Sequence, residues 1–100
     1  MSVLTAGIES PASLDALWAS FFATGEDAYV KRVITALPLM KTKGDTARLL
    51  IGGAAHWSLT SNAIQHPRVM AICESELMTA GGDVKTILSE VVERAKEGRH

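Results

Sequence analysis

Apolar residues recur along this chain at helical spacing and nowhere alternate as they do in a strand. Leu14, Leu17, Trp18, Phe21 and Phe22 fall at i, i+3, i+4, i+7 and i+8, which is one face of a helix. Ser10 and Pro11 mark its start, since proline suits the first helical turn and serine caps it. Gly25, free to adopt left-handed angles, marks the stop after residue 24. Glu26 and Asp27 open a second helix at the end where acidic groups are favoured. Tyr29, Val30, Val33, Ile34 and Leu37 are its buried face, and Pro38 ends it. So short a turn between the two requires an antiparallel hairpin.

Residues 39–44 hold two lysines and a glycine and read as a surface loop. Asp45 then caps a third helix reaching Gln65, roughly 30 Å at ~1.5 Å per residue. Its first half is apolar almost all round (Ala47, Leu49, Leu50, Ile51, Ala54, Ala55, Trp57), as in a central helix contacted from several sides. Gly52 and Gly53 each weaken a helix interior by about 1 kcal/mol relative to Ala. They point to another backbone packed close; the alternative is a break at the pair. Before Pro67, His66 is pushed out of helical angles and ends the helix. Pro67 starts a fourth helix with Val69, Met70, Ile72, Cys73 and Leu77 inside, closed by Gly81 and Gly82. Asp83 caps a fifth, where Val84, Ile87, Leu88, Val91, Val92 and Ala95 form the apolar stripe and Glu90–Arg94 pair at i, i+4.

The pattern therefore predicts one all-α domain over residues 1–100, with flexible ends at 1–9 and 98–100. About five helices form two hairpins and a C-terminal capping helix. A shift of 39 residues lays Ala16 on Ala55, Trp18 on Trp57, Val30 on Val69 and Val33 on Ile72. That register is the mark of a solenoid-like helical repeat with both tryptophans and the Phe21–Phe22 pair in the core. An irregular orthogonal bundle is the alternative.

Composition narrows the function classes. Apolar residues make up 47% and charged residues 21%, which is ordinary globular usage. Cys73 is alone, so neither an internal disulfide nor a cysteine-rich zinc site is available, and a reducing cytoplasm suits it. His56, His66 and Cys73 have no zinc spacing, His100 is terminal, and no metal or cofactor is expected. Residues 1–8 lack the basic start of a secretory signal, and the most apolar run, 49–57, is about half a bilayer span. A net charge of −1 argues against nucleic acid. Charge is unevenly placed all the same. Lys31, Arg32, Lys41, Lys43 and Arg48 face one Asp45, whereas acids dominate from Glu74 onward. Such a dipole orients an approaching protein or second copy, making Lys31, Arg32, Lys41 and Lys43 candidate interaction residues.

Two stretches carry a resemblance. Leu17-Trp18-x-x-Phe21-Phe22-Ala23-Thr24-Gly25, and Trp57-Ser58-Leu59-x-Ser61-Asn62-Ala63-x-Gln65-His66-Pro67-x-Val69, resemble a pattern in small bacterial proteins of unassigned function. It spans most of residues 14–70 and implies no activity, cofactor or catalytic residue.

One polar constellation stands out. Ser58, Asn62 and His66 fall at i, i+4 and i+8, with Ser61 and Gln65 beside them. Polar groups on an apolar helix must be solvated or paired, so these tie helix ends together or line a ligand or partner pocket. Ser58 and His66 are two turns apart, too far for a nucleophile and its base, and no catalytic residue is assigned. The expectation is a non-enzymatic protein–protein interaction module, able to self-associate. The alternative is a small-molecule-binding or enzymatic domain using Ser58, Asn62, Gln65 and His66. An exposed apolar strip separates the first from the second, which needs a closed pocket.

Overall fold

The computed structural model describes residue 8 and residues 10–98. Five α-helices follow one another: α1 (Pro11–Thr24), α2 (Asp27–Ile34), α3 (Thr46–Gln65), α4 (Pro67–Leu77) and α5 (Gly82–Glu97). A 3-10 turn, Leu37–Lys41, joins α2 to α3, and there is no strand among the described residues. Of the ends expected to be flexible, residues 1–7, 9, 99 and 100 lie outside this description. Ile8 is partly buried and packs against the core.

Most boundary signals act where they stand. Pro11 opens α1, although Ser10 makes no side-chain cap. Gly25 takes φ 73° and its N–H donates to the Phe21 carbonyl at 2.7 Å. Asp45 caps α3, its carboxylate accepting from the Arg48 N–H at 3.1 Å. His66 is at once the last cap of α3 and the first of α4, held extended by Pro67. Two signals act differently. Pro38 does not close α2, which stops at Ile34; it enters the 3-10 turn at a position that needs no N–H from it. The expected surface loop therefore shrinks, because Leu37 is buried and Leu39 and Met40 pack on the core, turning the segment inward. Asp83 is not the cap of α5, which Gly81 provides; it lies in the first turn, facing the positive helix end and Lys41 at 3.4 Å.

The central helix is α3, which touches the other four and the 3-10 turn. It runs unbroken through both glycines. At Gly52 the reason is plain: a Cβ there would stand 2.0 Å from the Met40 backbone nitrogen. Around α3 the buried faces agree with the periodicity. Leu14, Leu17 and Phe21 come from α1, Val30, Val33 and Ile34 from α2, Val69, Ile72 and Cys73 from α4, and Leu88, Val91 and Ala95 from α5.

The tryptophans part company. Trp18 is 7% exposed, whereas Trp57 is 74% exposed, contrary to the expectation of two core anchors. Ala55, Leu59 and Ala63 take the core face of α3. Two residues past Ala55, Trp57 is rotated roughly 200° away at ~100° per residue. The 39-residue register thus holds for burial at Val30/Val69 and Val33/Ile72 and fails at its tryptophans. Phe22 also leaves the core: it is 54% exposed, since Phe21 fills the inner position beside it.

Candidate functional site

The polar row on α3 is used internally. A buried indole needs a partner for its N–H, and Trp18 Nε1 donates to Ser58 Oγ at 3.0 Å. The Ser58 hydroxyl in turn donates to the Ala55 carbonyl at 3.2 Å. Asn62 Nδ2 donates to the Ser58 carbonyl at 2.9 Å, a bond within the helix rather than to the open carbonyls at its end. His66 sends its backbone N–H to the Asn62 carbonyl at 2.8 Å. Its ring lies 5.2 Å from that of Phe22, which stacks on Trp18 at 6.0 Å. Gln65 is exposed. Ser58 is thus brought to Trp18 of α1 rather than to His66, and its hydroxyl links α1 to α3.

The charged candidates are also drawn inward. Lys31 pairs with Glu76 and Lys41 with Asp83, each at 3.4 Å, so the basic and acidic halves of the chain close on one another. Arg32 Nη1 donates to Thr35 Oγ1 at 3.1 Å, and Lys43 is exposed on the bend before α3. The dipole expected to steer a partner is to that extent answered within the molecule. Arg68, which the periodicity did not single out, reaches back across the fold. Its Nε donates to Asp27 at 3.0 Å and its Nη2 to the Gly25 carbonyl at 3.4 Å, tying α4 to the α1–α2 turn. His56 is half-buried with Nε2 3.5 Å from Glu90 Oε1, which also accepts from Arg94 Nε at 3.1 Å. Burial, helped by Glu74 and Glu76, pushes the Cys73 thiol up to about 12, so it carries no thiolate chemistry near neutrality.

Among the described residues, one face of α3 stays open. Leu50, Gly53 and Trp57 stand at i, i+3 and i+7, and Leu49 joins Gly53 and Trp57 at i+4 and i+8. Leu49 is 44% and Leu50 59% exposed. Three large apolar side chains therefore share a continuous surface around a glycine. Sequence reasoning placed all three in the core because the first half of α3 is apolar on every side. The available signal was the glycine pair itself, whose members point about 100° apart and so cannot both meet one neighbour.

A cleft of about 270 Å³, lined by Ile8, Arg32, Thr35, Ala36, Leu39 and Arg48, lies where α2, the 3-10 turn and α3 meet. It falls short of the ~300–1,000 Å³ usual for small-molecule sites, and none of the polar row lines it. No helix among the described residues is long and apolar enough to cross a membrane. No family model, curated protein or solved structure matches the chain.

Proposed function

We propose that the chain is a non-enzymatic helical module that binds another protein, or itself, through the open face of α3. The observation that carries this reading is Trp57, 74% exposed beside Leu49 and Leu50. Exposed apolar side chains scattered singly are ordinary, but a contiguous group is the feature that interaction surfaces share. Tryptophan is also the residue most enriched among side chains that dominate binding energy. The polar row supports the same reading from the other side. Ser58 and Asn62 make hydrogen bonds inside the fold, which supports a structural use of the row over a ligand site.

The test is capture from native lysate with wild type, Trp57→Ala and Leu50→Ala, each checked for its melting temperature. A surface role requires both variants to melt like wild type and to lose the captured protein. Retention by both variants overturns the assignment of this face.

A further inference from the structure

Two glycines stand side by side in α3, and only one is accounted for among the described residues. Gly52 makes room for the backbone of the 3-10 turn, where an added Cβ would collide with Met40 and Leu39. At Gly53 a Cβ would meet nothing within 4 Å. Alanine would serve the helix better there, because glycine in a helix interior is unfavourable. The residue sits on the open face, with Leu50 one turn before it and Trp57 one turn after. That face therefore presents a projection and a notch four residues apart.

A surface carrying both is complementary to itself. When two α3 helices lie antiparallel about a two-fold axis at the level of Ala55, residue 57 of each falls opposite residue 53 of the other. Each contact is then made twice, as an isologous pair requires. Charge agrees with such pairing. The row Thr46, Leu50, Gly53, Trp57 and Ser61 carries no ionisable side chain. At its edge beside Leu49 stands His56, 3.5 Å from Glu90, which also pairs with Arg94, so the flanking charges are of both signs.

Extent agrees as well. Residues 46–61 cover roughly 22 Å of helix at ~1.5 Å per residue. Trp57 exposes 74% of its surface, out of a side chain worth up to about 250 Å². With Leu49, Leu50 and the small residues between, the strip offers on the order of 500 Å² per copy, or about 1,000 Å² per pair, the lower bound of a specific interface.

Resting on the interaction-module reading above, we propose that the partner of this face is a second copy of the chain, joined by antiparallel α3–α3 contact with each Trp57 seated on the other copy's Gly53. A contact at this lower bound makes a reversible dimer rather than an obligate one.

Sedimentation equilibrium of the full chain from roughly 1 μM to 1 mM, the range of weak reversible pairs, tests the proposal together with the tryptophan emission maximum. Wild type should shift from monomer to dimer, and its emission should move to the blue over the same interval as Trp57 is covered. Trp57→Ala should weaken the dimer on the order of 100-fold, because an aromatic anchor is lost twice. Gly53→Leu fills the notch. It should abolish the dimer while the monomer melts no lower than wild type, a combination that misfolding cannot produce. A wild type that stays monomeric throughout, or a Gly53→Leu protein that dimerises as wild type does, overturns the proposal. If such a monomer still captures another protein through Trp57, self-pairing falls and the module reading stands. If capture is also indifferent to Trp57, both fall.

Discussion

Replacing Gly52 or Gly53 with Ala adds the same methyl group to neighbouring positions of one helix, yet the two substitutions should move stability in opposite directions. The helix itself favours alanine by about 1 kcal/mol at either site. At Gly53 nothing lies within 4 Å of the new Cβ, so most of that gain should survive. At Gly52 the Cβ would stand 2.0 Å from the Met40 nitrogen and 2.6 Å from the Leu39 carbonyl carbon, both backbone atoms. Carbon contacts sit near 3.5–4.0 Å, so the 3-10 turn must withdraw by about 1.5 Å. That shift opens a gap behind Leu37, which is fully buried, and behind the half-buried Leu39 and Met40. Overpacking of this kind costs about 1–3 kcal/mol and more where backbone must move. Net of the helical gain, Gly52→Ala should lose about 2 kcal/mol. For a domain of this size that lowers the melting temperature by roughly 8–16 °C, and Gly53→Ala should raise it by about 4 °C. Urea unfolding at sub-micromolar protein (~0.5 μM), where mass action disfavours association, gives both free energies, and thermal melts at the same concentration give the temperatures. Shifts of the same sign would refute the close approach of the turn to α3 at Gly52 alone.

Three further outcomes are expected. Trp18→Ala should cost about 3–5 kcal/mol and leave the domain largely unfolded, whereas Trp57→Ala should change monomer stability by no more than about 0.5 kcal/mol; thermal melts at low concentration compare them. Ser58→Ala removes the acceptor of the buried Trp18 N–H and should cost about 1–3 kcal/mol, with Ser58→Thr recovering part of it in the same urea assay. Cys73 should resist a thiol reagent at pH 8 until the chain unfolds. Its thiol is raised from 9.0 to about 12, so its neutral form stabilises the fold fully below pH 9, and that contribution is lost as pH rises towards 12. Cys73→Ala should accordingly show a shallower alkaline loss of stability than wild type.

The helices were legible because their signals are local. Pro11, Gly25, Asp45 and the His66–Pro67 pair each act through their own backbone angles or nearest N–H groups, and all stand at observed boundaries. The apolar stripes of α4 and α5 were legible for the same reason, since each has one inner face. Position in the tertiary structure was harder to read. Leu49, Leu50 and Trp57 are as apolar as Ile51, Ala55 and Leu59, and only the arrangement of α1, α4, α5 and the 3-10 turn around α3 decides which set is covered. Pro38 misled because a proline that stops an α-helix also starts a 3-10 turn, and the burial of Leu37 decides between them. Ser58 was recognised as one of a polar row, but its role depends on Trp18, 40 residues away in sequence, and no local pattern reports such a partner.

A single residue, His66, is all that separates α3 from α4. The two helices consequently have no slack between them, and the angle at which they meet is set by one pair of backbone dihedrals. Adding one residue there would turn α4 about its axis by roughly 100° and carry Val69, Ile72 and Cys73 away from the core. By contrast, the exposed bend around Lys43 and Gly44 can lengthen without disturbing any buried side chain. Insertions should therefore be tolerated at that bend, where they leave the core in place, and should unfold the domain when placed at residue 66.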